Sequence, residues 1–411
     1  MKALIISAAY PPMQAGEATN TYYLCEHLAD RGIDVDVLTS VNCERSHNPR
    51  IHVYPIMRRW SWIEMFRMRS FFRHCAPDAV LLMYIGVMYN SHPMITFAPT
   101  IFKRLFPHVP FVTRYESVFV GADPSKTSVM ARLFRRSVIQ WAGANDVGYG
   151  SGTLLRDSDH VIALCDRHRT ILLAEWPPIH RKISMIPPPP NMRIVQNGDG
   201  LARRRGRSRL GLRQEDFVVT FFGYFYKTKG VEFLLRAFRL VRDVRKGVKL
   251  LFIGGRIQLD VEGSADYFER MQHLAKELNL EDDIIWTGPV KSDEEDGSIY
   301  LHAADVAVLP FLQGVQLNNS SLSSIAAHGL PIIGTRGPLL DSVFAHGRNI
   351  LLCEPRDEHA IADNILRLMD DPSLVMGLKR GVMQLAEDCF SWNKAIDRTL
   401  TTFDPVQACS T

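Results

Sequence analysis

Apolar residues in this chain gather in short runs of four to six, and between the runs they recur at helical spacing. The front half has seven such runs: Ala3–Ser7, Val35–Thr39, Ile51–Tyr54, Ala79–Tyr84, Val109–Thr113, Val161–Leu164 and Ile183–Ile186. Most are apolar nearly throughout, which predicts parallel strands buried on both faces. Between the first two, Leu24, Cys25 and Leu28 share one helical face and Gly32 follows as a stop. Strand, helix and strand make a βαβ unit.

The back half repeats the scheme. Val218–Phe222 reads as a strand, and Val231, Leu234, Leu235, Phe238 and Val241 then recur at helical spacing. Lys249–Ile253, Ile284–Thr287, Val306–Leu309, Ile332–Ile333 and Ile350–Cys353 follow as strands. Two successive series of such units predict an α/β fold with two doubly wound, Rossmann-like lobes. Four prolines in a row, Pro187–Pro190, fit neither a helix nor a central strand, and Asn197–Gly200 continues the break. The expected lobes are therefore 1–195 and 196–389, with a final helix in 390–411 carrying Trp392, Ala395, Ile396 and Leu400 at roughly helical spacing. Arg203–Arg209 holds five arginines. It could grip phosphate, but a short solvated helix is expected.

Composition narrows the class. The chain has 411 residues, too many for one ordinary core, and is 46% hydrophobic and 22% charged, as folded globular proteins are. No apolar stretch reaches the length of about 18 residues that a spanning helix needs, and the N-terminus reads as a first strand, not a signal peptide. Seven scattered cysteines without a C-x-x-C suit free thiols in a reducing cytoplasm. Residues 1–195 carry 22 Lys/Arg against 15 Asp/Glu, and the rest 26 against 29. A basic front half suits peripheral contact with an anionic membrane face; a scatter of solvated arginines is the alternative. Arginines and aromatics mix in Arg58–Trp62, Phe66–Arg69 and Phe71–Arg73, where a helix packing its aromatics on the sheet is expected over one lying in a membrane interface. No stripe of basic and stacking residues argues for nucleic acid.

Ligands of open α/β sheets bind beyond the carboxyl ends of the strands. After the first strand comes Tyr10–Glu17, in which Gly16 lets backbone approach a ligand ahead of a helix. It is not G-x-G-x-x-G, so dinucleotide binding is poorly supported. Gly223-Tyr224-Phe225-Tyr226-Lys227-Thr228-Lys229-Gly230 also follows a strand and opens a helix, and its lysines suit a diphosphate or are exposed loop residues. A polar loop from Gln313 leads through Asn318, Asn319, Ser320 and Ser321 into another helix, closed by Gly329. Those side chains either cap the helix or leave its N–H groups for a phosphate. Asp34/Asp36 and Asp157/Asp159 are expected as solvated turns, and Gly148–Gly152 as a turn without a preceding strand. No His or Cys spacing marks a metal site, and no G-x-S-x-G is present.

The joint order of these pieces resembles glycosyltransferase family 4 (group 1). Tyr10-Pro11-Pro12, Gly16 and Leu28-Ala29-x-Arg31-Gly32-x-x-Val35-x-Val37-Leu38-Thr39 resemble the family's opening, as do Pro77–Val80 and Ser158–Leu164 further on. Phe222-Gly223 with Lys229-Gly230, Ala303-Ala304-Asp305-Val306-x-Val308-Leu309-Pro310, His328–Thr335 and Phe390-Ser391-Trp392 resemble its second half. The resemblance implies a GT-B fold whose last helix packs back on the first lobe. It implies a retaining, metal-independent transfer from a nucleotide-diphosphate sugar to a sugar or lipid-linked acceptor, with no further cofactor and with envelope polysaccharide or glycolipid synthesis as the expected setting. Lys229 would neutralise the donor phosphates, and Gly16, Gly223, Tyr224, Gln316, Asn319, Ser320 and Ser321 would line the donor. Tyr115 falls where the family often has a catalytic His, with Glu116 beside it, and Asn20 falls near another. The family's usual Arg is Tyr224 here, and its Glu-x7-Glu pair falls on Gln316 and Ser324. A silent nucleotide-sugar binding subunit, or a sugar-nucleotide epimerase on the same fold, are the alternatives.

Overall fold

The computed structural model describes residues 1–13, 15–118, 129–256 and 264–404, so Gln14 of the first loop and Cys409 lie outside it. The chain divides into two compact units, Met1–Ile186 with the stretch from Ala395, and Pro187–Lys394. The four prolines thus open the second unit, where residues 187–195 were expected to end the first.

In the first unit seven strands form one parallel sheet: β1 (Lys2–Ile6), β2 (Asp34–Ser40), β3 (Ile51–Met57), β4 (Ala79–Tyr84), β5 (Phe111–Tyr115), β6 (His160–Ala163) and β7 (Ile183–Met185). Their order is β3-β2-β1-β4-β5-β6-β7, so the winding reverses between β1 and β4. The helices are α1 (Gly16–Asp30), α2 (Met65–Cys75), α3 (Ala98–Lys103), α4 (Val129–Ala142), α5 (Leu154–Asp157) and α6 (Asp166–Glu175). Ala3, Leu4, Ile5 and Ile6 are all fully buried, which is why β1 reads as a continuous apolar run. Leu4 and Ile6 share a core with Met68, Phe72 and Phe102.

Three of the four aspartates expected in solvated turns are structural anchors, while Asp34 is exposed as expected, beside Arg50. Asp36 is 1% exposed; Lys2 Nζ lies 2.9 Å from its carboxylate and the Cys75 thiol donates to it at 3.0 Å. Asp159 accepts from Lys103 Nζ at 2.9 Å and from Phe111 N at 2.7 Å, fixing where β5 begins. Asp157 accepts from Arg156 and Thr100. A buried carboxylate is tolerated only when paired, and a sequence does not display the partner.

The second unit repeats the parallel design with β8 (Phe217–Phe222), β9 (Val248–Ile253), β10 (Ile284–Trp286), β11 (Val306–Leu309), β12 (Ile332–Thr335) and β13 (Leu351–Cys353) in the order β10-β9-β8-β11-β12-β13. Here the winding reverses between β8 and β11. Its helices are α7 (Leu201–Arg209), α8 (Val231–Val244), α9 (Ser264–Glu277), α10 (Asp296–Ala303), α11 (Ser320–Ala327), α12 (Glu358–Asp370) and α13 (Pro372–Cys389). Val231, Leu234, Leu235, Phe238 and Val241 of α8 are fully buried, each contributing about 1.5–3 kcal/mol. The last helix, α14 (Trp392–Thr401), starts in this unit, where Trp392 Nε1 donates to Pro190 O at 3.1 Å. From Ala395 it belongs to the first unit, where Asp397 pairs with Arg31.

The arginine-rich segment is a helix, α7, solvated at Arg204 and Arg209 but not at Arg207. Arg207 is fully buried and donates to Asp305 at 2.9 Å and to Ala303 O at 3.1 Å, while Arg203 reaches the other Asp305 oxygen at 2.6 Å. Asp305 also accepts from Val218 N at 2.8 Å. These arginines dock α7 on the end of α10 and the start of β11, so phosphate has no claim on Arg207.

Candidate functional site

Each sheet has one place where the winding reverses, and there the loops leaving the strands part to form a crevice. In the second unit that crevice lies beyond β8 and β11. Gly223 follows β8 with φ +138°, a conformation that favours glycine, and a Cβ there would lie 2.8 Å from Ser321 Oγ. The two expected donor residues are thus neighbours across the reversal, with half-buried Tyr224 next in the chain. Gly230, φ +63°, opens α8, and a Cβ on it would lie 2.2 Å from Pro310 O. Leu312 N donates to Thr228 O at 2.9 Å, so the segment after β8 is fastened to the segment after β11.

This fastening buries Lys229. The residue is 9% exposed, and its ammonium sits 4.0 Å from the ring centre of Phe311 and 5.0 Å from that of Tyr226. Among the described residues no carboxylate pairs with it and no acceptor bonds it. Aromatic faces attract a cation but do not neutralise it.

The loop before α11 is held from within. Asn319 Oδ1 accepts from Gln316 N at 2.8 Å, Asn319 N donates to Gln316 O at 3.0 Å, and Leu317 N donates to Asp341 at 2.7 Å. Asn319 therefore shapes the loop and caps no N–H group of α11. The N–H groups of Ser320 and Ser321 have no acceptor among the described residues, and the Ser321 hydroxyl has no partner there. Gln316, 6% exposed, and Ser324, 1% exposed, occupy the acidic positions of the family pattern. An ammonium without a carboxylate partner among the described residues, uncapped helix N–H groups and a hydroxyl supply positive charge and donors to a ligand rich in anionic oxygens.

The first unit's crevice, beyond β1 and β4, is lined by Ser7, Ala9, Glu17, Thr21, Tyr89 and Glu116 among others. Ser7 and Thr21 hydroxyls bond at 3.0 Å. Glu116 Oε1 lies 2.7 Å from Nε of Arg114, which is 1% exposed, yet neither atom has an aligned hydrogen bond. Burial pushes the Glu17 carboxyl up, and the Glu116 charge adds to that. Sequence reasoning passed over Glu17, although it follows Gly16 in the first turn of α1. Gly16 itself is exposed, and an added Cβ would meet nothing within 4 Å.

Tyr115 needs correction. Strand residues alternate faces, so Arg114 and Glu116 share one face of β5 and its continuation while Tyr115 points to the other. Its ring is 5% exposed, packs edge-on against Tyr84 at 5.3 Å, and belongs to the apolar core. Burial holds its hydroxyl well above the usual range. The side chain is a core group and does not reach the crevice that Glu116 lines. Among the described residues no cluster of His, Cys, Asp and Glu is able to hold a metal ion, and no helix is long and apolar enough to cross a membrane.

Two family models match the chain, one in each half: Glycosyltransferase Family 4 over residues 15–192 and Glycosyl transferases group 1 over residues 216–371. Between them they take in most of the sequence, and the chain belongs to these glycosyltransferases, with the GT-B fold. A D-inositol 3-phosphate glycosyltransferase of Catenulispora acidiphila is 24% identical over 263 residues, covering 62% of this chain and 59% of that protein. The chain spans about half to three fifths of the length of the curated relatives it matches. Sucrose-phosphate synthase of Thermosynechococcus elongatus superposes over the whole of both chains with TM-score 0.70 at 20% identity. HepE of Anabaena, solved with UDP and glucose, superposes over 98% of this chain and 99% of its own with TM-score 0.69 at 15% identity.

Proposed function

We propose that this chain transfers a sugar from a nucleotide-diphosphate donor to a hydroxyl of a sugar or lipid-linked acceptor. The bond between the sugar's anomeric carbon and the diphosphate breaks, and a bond from that carbon to the acceptor oxygen forms. The second unit holds the diphosphate: Lys229 meets its charge, and the N–H groups of Ser320 and Ser321 with the Ser321 hydroxyl bind its oxygens. Gly223, Tyr224, Gln316 and Asn319 shape the wall. This positive charge stabilises the leaving diphosphate, which accords with a metal-independent transfer. Glu116 lies on the acceptor side. Retention of configuration, a role in envelope polysaccharide or glycolipid synthesis, and work at the cytoplasmic membrane face complete the reading.

The largely buried side chain of Lys229, whose ammonium has no carboxylate partner among the described residues, carries the proposal. The UDP and glucose in the HepE structure, and the glycosyltransferase activity named for the curated relatives, support it. The test is a thermal-shift screen of nucleoside diphosphates and their sugars, since a bound donor stabilises the fold by mass action. A rise with at least one nucleotide that Lys229→Ala abolishes is expected, with nucleoside diphosphate released when acceptor is added. No shift with any nucleotide would sink the donor site. A second reading, a binding subunit without turnover, is favoured by Gln316 and Ser324 standing where the family has carboxylates; it predicts the shift without the release.

A further inference from the structure

Helix α4 is apolar on two faces. Phe97, Ala142 and Ala144 form a small core with Trp62, Val138, Ile139 and Tyr149, which accounts for one face. Met130, Leu133, Phe134 and Trp141 fall at i, i+3, i+4 and i+11, a single stripe, and are 76%, 56%, 48% and 43% exposed. The stripe does not stand alone. The Trp62 ring meets Phe134 at 5.9 Å, and Trp62 begins the helical turn that leads into α2. Beside it Ile63 is 87% and Phe66 68% exposed.

The charge around these side chains has one sign. Residues 58–75 and 129–142 hold eight arginines and one acid, Glu64. Glu64 is turned inward, accepting from the backbone N–H groups of Arg58, Arg59 and Trp60. Arg132 and Arg136 are exposed and flank the stripe, and Arg58, Arg59, Arg67, Arg69 and Arg73 are exposed around Ile63 and Phe66. Bulky apolar side chains standing in water between arginines match an anionic lipid surface: the apolar groups enter the acyl boundary and the guanidinium groups stay with the headgroups.

We propose that the stripe of α4, continued through Ile63 and Phe66, docks this chain on an anionic bilayer. The inference names the surface for the membrane contact in the proposed function, and it rests on that reading only for what the docking serves. The experiment is co-sedimentation of the full chain with phosphatidylcholine vesicles with and without phosphatidylglycerol, at low and high salt. Nucleotide-induced thermal shifts are recorded on the same samples. Binding to the phosphatidylglycerol vesicles that falls with salt is expected, together with quenching of Trp141 fluorescence by brominated lipid. Met130→Ser with Leu133→Ser changes two exposed side chains and is expected to weaken partitioning by about tenfold or more. Arg132→Glu with Arg136→Glu is expected to abolish the preference for phosphatidylglycerol. Absence of vesicle binding, binding that both double variants leave unchanged, or lipid-free self-association that covers the stripe would each overturn the proposal. Nucleotide shifts that persist in the variants separate its failure from failure of the donor site.

Discussion

The two reversal crevices share an architecture and differ in charge. Among the described residues, the one in the second unit presents a buried lysine without a carboxylate and an uncapped helix start; the one in the first presents Glu17 and Glu116, with Arg114 sealed beneath. Parallel α/β winding builds the crevice in both, so the loop residues alone decide its chemistry. A cationic crevice fits a diphosphate. An acidic one repels it and suits hydroxyls. The charges also cost differently in the two places, because Arg114 has its counter-ion beside it and Lys229 has none among the described residues.

That contrast can be broken by substitution. Arg114→Met would leave Glu116 buried without its cation and should cost about 3–5 kcal/mol, read from urea unfolding. Gly230→Ala should cost about 1–3 kcal/mol, because alanine resists φ +63° and its Cβ would press on Pro310 O. Ser321→Ala should leave stability alone and weaken nucleoside diphosphate binding by about two- to tenfold in calorimetry, the share of one hydrogen bond.

The smallest effect is Glu17→Gln. The Glu17 carboxyl is raised by burial, so its protonated form stabilises the fold in acid, and that contribution is lost as pH rises through the raised value. The variant should melt higher than the wild type at neutral pH, and the gap should close toward acid. A variant that melts below the wild type at neutral pH would contradict this, because Glu17 would then be stabilised as a carboxylate and not raised by burial.

The strands were legible because burial on both faces leaves continuous apolar runs. Val306–Leu309 and Ala79–Tyr84 match residue for residue, and the other runs differ only at their ends. The fate of charged residues was not legible. Arg207 and Arg204 look alike in sequence, yet Arg207 is sealed against Asp305 and Arg204 stays exposed, because the partner lies 98 residues away. The faces of Tyr115 and Glu116 could have been read from strand alternation alone. Asn319 could not, since its acceptor role in the loop depends on a turn that no pattern announces. Lys229 was found as a motif residue, but its burial over Phe311 emerges only when two loops meet.

The most direct test of a second unit built to hold an anion is Lys229→Met, measured by thermal unfolding with and without UDP. Removing a cation that has no counter-ion among the described residues, and keeping the apolar bulk of its largely buried side chain, should leave the unliganded protein as stable as the wild type or slightly more so. The same change should weaken nucleotide binding on the order of a hundredfold, so that the UDP-induced shift disappears. A variant that is destabilised without ligand yet keeps the full shift would contradict the account, because Lys229 would then be holding the fold and not the diphosphate.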